Sequence, residues 1–231
     1  MTLLSILLLQ ADTALKAAAN ATNVPAEKIS LFYLLREGGI LMIPLLLCSI
    51  LLVYVFVERL LAIRKASLVD ANFMFRIREQ VTAGNLVAAK AQCKNEGTPV
   101  ARMIEKGISR IGKPIDQIEK AMENTGKLEV YQMEKNLSIL STLAGIAPMF
   151  GFLGTIAGMI ILFFNVQHEG FSLETIAGGI YTKMVTSAVG LIIGLLSYVA
   201  YNYLSAQINK NVYRMEAASA EFLDILQEPT R

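Results

Sequence analysis

Three long runs in this 231-residue chain carry almost no charge, and they restrict its fold more than any other feature. Gly38 to Val57 (GGILMIPLLLCSILLVYVFV) has no charged residue, nor has Leu140 to Val166, and Thr175 to Ala206 has only Lys183. About 20 apolar residues at about 1.5 Å each cover a hydrocarbon core of about 30 Å, so each run reads as a membrane-spanning helix. The second and third exceed that minimum and are expected to tilt or to project beyond the bilayer. Pro44 and Pro148 are compatible with this, because neighbouring helices satisfy the carbonyls that proline frees in a membrane helix. Composition agrees: 54% of residues are hydrophobic and 17% charged, against about one quarter charged in a soluble domain. The expected class is an all-α integral membrane protein with three transmembrane helices and a helical bundle outside the membrane.

Lys and Arg near the span ends set the direction. Arg59, Arg64 and Lys65 follow the first span, Lys127 and Lys135 precede the second, and Lys210 and Arg214 follow the third. The turn around Gln167-His168-Glu169-Gly170 has neither, so the middle region and the C-terminus are expected in the cytoplasm and the N-terminus outside. The resulting order is an external segment 1–37, a first span 38–57, a cytoplasmic helical region 58–136, a second span 137–166, a short outer loop 167–174, a third span 175–206 and a cytoplasmic C-terminal helix 207–231. The first 37 residues allow two readings: a signal peptide with its apolar core at Leu3 to Leu9, or a short surface helix over Ala11 to Ala21 ended by Pro25.

The region after the first span alternates charge with apolar residues at helical spacing, broken at Gly84-Asn85, Asn95 to Pro99 and Gly112-Lys113-Pro114. Ile104, Ile108, Ile111, Ile115, Ile118 and Met122 form the expected bundle core. Leu128, Met133, Leu137 and Leu140 continue that spacing into the second span, which predicts one helix reaching far into the cytoplasm.

Enzymatic chemistry has no visible constellation. One histidine (His168) and two separated cysteines, Cys48 and Cys93, cannot make a zinc site or an expected disulfide, and no phosphate loop or nucleophile elbow is present. No cofactor is expected. A net charge of +2 without a basic, aromatic-interleaved patch excludes a nucleic-acid footprint. Three spans without an internal repeat argue against a secondary transporter.

The chemistry that is legible lies in the spans. Gly178, Thr182, Thr186, Gly190 and Gly194 recur every four residues, a row that drifts about 40° per step and winds slowly around its helix. Gly151, Gly154, Thr155 and Gly158 repeat the feature in the second span. Such small residues let helix backbones approach closely, within one subunit or around a shared interior, with the first span left outside toward lipid. The hydroxyls of Thr155, Thr182, Thr186 and Ser187 either bond carbonyls of their own helix or line a weakly polar pathway. Lys183 is a functional candidate because an intramembrane charge must snorkel, pair or face water, with Glu174 or an acid on a partner as the counter-charge.

The segments APMFGFLGTIAGMI (Ala147 to Ile160) and GGIYTKMVTSAVGLIIGL (Gly178 to Leu195), with Glu58-Arg59-Leu60 closing the first span, resemble the ExbB/TolQ/MotA family of proton-channel subunits, most of all its ExbB branch. The resemblance implies a homopentamer in a bacterial inner membrane whose second and third helices line a pore. It also implies a single-span ExbD-like protein inside that pore, and proton flow that energises a TonB-like protein for nutrient uptake across the outer membrane. A TolQ-like role in envelope constriction is the related alternative, and a non-conducting scaffold the unrelated one. The resemblance carries pore-facing hydroxyls onto Thr155 and Ser187, with Thr186 beside it. It also exposes a departure: where many members have a glutamate in the third span, this chain has Thr182 followed by Lys183.

Overall fold

The computed structural model describes residues 42–68, 70, 72–170 and 173–227, and among these there is no strand. The N-terminal segment 1–37 and the start of the first expected span lie outside the described residues. Among the described residues seven helices follow one another: α1 (Met42–Ser67), α2 (Phe73–Thr82), α3 (Leu86–Glu96), α4 (Pro99–Ile108), α5 (Ile115–Glu134), α6 (Leu137–Glu169) and α7 (Leu173–Gln227). Three stretches of the described residues are long and apolar enough to cross a membrane: Met42–Ser67, Ile115–His168 and Ile176–Gln227.

The short helices end where the sequence breaks. Gly84 takes a left-handed φ of 72° after α2, and the Asn85 side chain then caps α3 by accepting from Ala88 N. Gly97 ends α3 at φ 61°, and Thr98 with Pro99 opens α4 as a hydroxyl cap followed by a first-turn proline. Ile104, Ile108, Ile118 and Met122 are buried where α4 and α5 meet the far half of α7. Gly107 allows a close approach: a side chain there would meet Met122 Sδ at 2.6 Å and Phe222 Cε1 at 2.7 Å.

The expected single helix through the second span is two helices. Asn136 stands at φ 62° between α5 and α6, and it is the only non-glycine with positive φ among the described residues. Asparagine tolerates this conformation better than most residues, so the break falls there and not at Gly126, which stays helical. Leu128 also departs from the expected apolar row: it is 63% exposed, while its neighbour Glu129 is 6% exposed. Arg102 explains the inversion, since its guanidinium grips the Glu129 carboxylate through two nitrogens, Nε at 2.7 Å, and also donates to Gly97 O at 2.6 Å. A buried carboxylate held by a forked donor can displace leucine from a helix face.

The long helix α7 ties the molecule together. Its buried row runs Thr186, Gly190, Ile193, Ser197, Ala200, Leu204, Ile208, Asn211, Met215, Ala218, Phe222 and Ile225. Steps of four and three alternate along most of it, as in helices that wind gently about their neighbours. α1 packs one face (Met42, Leu45, Leu52, Val55) on α6 and α7 and leaves Ile43, Leu47, Ile50 and Tyr54 exposed. In its second half Arg59 is buried, bonded to Glu58 and, at 3.3 Å, to the Gln132 carbonyl near the end of α5.

Candidate functional site in the seam between the second and third spans

α6 and α7 run antiparallel, and small residues decide how closely. A Cβ on Gly190 would lie 2.7 Å from Ala147 O and 2.8 Å from Gly151 Cα. One turn away, a Cβ on Gly151 would lie 3.1 Å from the Ser187 carbonyl oxygen. In the other direction Gly194 rides against the ring of Pro148, and a Cβ there would also fall 3.1 Å from the carbonyl oxygen of Ala144. Pro148 itself has no N–H to give that carbonyl, so glycine sits where the second span has lost a helical bond. Gly154 is buried on the same helix.

Toward the other end of the spans the seam changes character. Gly178 has nothing within 4 Å of where a side chain would begin and lies exposed. The glycine that closes this end is its neighbour Gly179, where a Cβ would fall 2.7 Å from Leu162 Cδ1 and which the four-residue row passes by. A four-residue row drifts around its helix, so its first member has rotated off the contact that Gly190 and Gly194 make. Between the two ends lies Lys183, whose Cγ, Cδ and Cε pass directly over Gly158. Here the residue on the third span is large and the glycine is on the second. Lys183 has no ion pair or hydrogen bond among the described residues, and the side chain of Glu174 lies outside them.

The four hydroxyls separate. Thr186 is 1% exposed and bonds Thr182 O at 3.4 Å, so its side chain is enclosed within the chain's own packing. Thr182 bonds Gly178 O at 3.0 Å and Thr155 bonds Phe152 O at 2.7 Å, the common back-bond of a helix hydroxyl, and both remain partly exposed. Ser187 lines an open groove of about 450 Å³ with Pro148, Met149, Phe152, Leu153, Ile156 and Leu191. The arrangement therefore offers a mostly apolar membrane groove with a serine on its wall. No group of three or more potential metal ligands occurs among the described residues.

Residues 95–217 match the model of the MotA/TolQ/ExbB proton channel family, a stretch that takes in the later half of the helical region, the second span and the third. A protein of Methanothermobacter thermautotrophicus described as an ExbB homolog of biopolymer transport is 23% identical over 184 residues, covering 78% of this chain and 65% of that one. The biopolymer transport protein exbB1 of Vibrio cholerae is 24% identical over 194 residues, 81% of this chain and 84% of the relative. The Tol-Pal system protein TolQ of Haemophilus influenzae is 29% identical over 91 residues, covering 39% of this chain and 40% of that protein. With a family model matched over more than half its length, this chain belongs to the MotA/TolQ/ExbB proton channel family.

Proposed function

We propose that the chain is the ExbB-type subunit of a motor driven by the proton-motive force in a bacterial inner membrane. It forms a homopentamer around an ExbD-like single-span protein and energises a TonB-like protein for nutrient uptake. Its N-terminus is periplasmic and its C-terminus cytoplasmic, an orientation supported by Arg64 and Lys65 in the last turn of α1. It acts by binding and conducting, with no catalytic residue. Thr155 and Ser187 hydrate the pathway and bond a partner's carboxylate; neither carries the proton itself, because a hydroxyl has no accessible pKa.

The observation that carries this reading is the position of Ser187: its backbone lies against Gly151, so the serine stands where the two spans touch, on the wall of an open groove at membrane depth. Removing one hydrogen bond to a charged group costs about 1.5–3 kcal/mol, which is about tenfold to a hundredfold in occupancy. Thr155→Val with Ser187→Ala is expected to lower TonB-coupled uptake by that order while protein level and partner binding persist. Undiminished uptake would return both residues to ordinary packing. A TolQ-like role in envelope constriction is the second reading, favoured by the TolQ relative; a division-defect phenotype with normal nutrient uptake would select it.

A further inference from the structure

Lys183 is the one charged residue in the three apolar runs, and those runs contain no Asp or Glu at all. Neither this chain's spans nor those of a second copy can therefore neutralise it at its own depth. Lys183 stands eight positions after Thr175, where the third apolar run begins, which puts its Cα about 12 Å inside. The aliphatic stem lies across Gly158, so part of the side chain's reach is spent on the seam. Among the described residues nothing polar answers the ammonium. A charge so placed calls for a counter-charge at similar depth.

The surroundings indicate what brings it. Lys183, Ser187 and Leu191 follow one another at intervals of four along α7, and the last two line the groove with Phe152 and Ile156 of α6. The groove is thus apolar along its length, and its row of residues leads outward to a lysine. Its complement is an apolar membrane helix with one carboxylate in its outer half. A lipid phosphate, which stays at the surface, is poorly matched to this depth.

We propose that Lys183 is the docking point for the carboxylate of a membrane-spanning helix from a different polypeptide, seated along the groove of Phe152, Ile156, Ser187 and Leu191. The proposal rests on the reading of the chain as a subunit with a single-span partner, and it names the residue that fixes that partner's depth. Gly158 belongs to the same device, because any side chain there would displace the lysine stem.

The test uses the full-length chain reconstituted in phosphatidylcholine vesicles with synthetic Leu/Ala helices of about 24 residues. One helix carries an aspartate about two turns below its outer end and the other an asparagine, and binding is read by energy transfer between labels. Wild-type protein is expected to bind the aspartate helix about tenfold more tightly, equivalent to about 1.4 kcal/mol. Lys183→Arg should keep the preference, Lys183→Met should abolish it, and Lys183→Glu should transfer it to a helix carrying lysine. Equal binding of the two helices by wild-type protein, or an undiminished preference in a folded Lys183→Met variant, would overturn the proposal. So would loss of the wild-type preference when phosphatidylglycerol is added, which would assign the site to lipid phosphate. Coupled uptake in the single variant Thr155→Val leaves Lys183 and the residues lining the groove unchanged, so failure here and failure of the motor reading are separate results.

Discussion

Gly190 and Gly151 meet backbone to backbone, with no room for a methyl group on Gly190 between them: its Cβ would fall 2.8 Å from Gly151 Cα. Because the obstacle is main chain, it cannot rotate aside, and the two spans must part to admit it. Gly190→Ala is expected to destabilise the helix pair by about 1–3 kcal/mol, the usual cost of overpacking. Gly178→Ala, one of the same four-residue row but facing open space, should cost nothing measurable. Thermal unfolding of both variants in detergent checks the contrast, and equal melting temperatures would show that the seam is loose.

Asn136 gives a second, backbone-based prediction. Its φ of 62° costs a residue with an ordinary side chain about 1–2 kcal/mol and glycine nothing. Asn136→Gly should therefore leave stability near wild type. Asn136→Ile should lower it by that amount and increase hydrogen exchange around residues 130–140, where the Arg59 contact to Gln132 depends on the same bend. If the isoleucine variant matches wild type in both measurements, the bend is not held by this residue.

Cys93 supplies a pH dependence. The thiol is fully enclosed, and burial pushes it up to about 12 from its ordinary value of 9.0, with Glu105 adding to the rise. The unfolded chain thus loses this proton near pH 9 while the folded chain keeps it. The contribution is complete below that point, and stability falls as pH rises from about 9 to about 12, by at most about 1.4 kcal/mol per pH unit from this group. Cys93→Ala should flatten that part of the profile, measured by denaturant titration at successive pH values. The native thiol should also resist alkylation at pH 8, and rapid labelling of folded protein would contradict its burial.

How far the sequence foretold these features depends on the range of the interaction. The breaks at Gly84, Gly97 and Gly112 were legible because glycine and its flanking caps act locally, and all three stand at positive φ. That three stretches are long and apolar enough to cross a membrane was legible for a similar reason, since charge-free runs can be read directly from the chain. Leu128 and Glu129 were not: the choice of which one to bury was made by Arg102, twenty-seven positions away in the chain. The hydroxyls show a subtler limit. Thr186 and Ser187 are adjacent and chemically alike, yet one is sealed inside the subunit and the other lines the groove. A helix turns about 100° between them, and only the placement of α1 and α6 decides which side is interior. Gly179 was missed because a row drawn every four residues passes through Gly178.

The two rods that carry the spans differ in kind. α7 is unbroken over 55 residues, about 80 Å at 1.5 Å each, whereas its companion is interrupted at Lys135 and Asn136. A push or twist applied near Lys183 therefore travels along one stiff shaft to Phe222 and Ile225 at the opposite end of the molecule. The companion rod has a joint between membrane and bundle, so strain between the two rods is taken up at Asn136, beside the contact that Arg59 makes with Gln132. The subunit is built as a lever paired with an elbow.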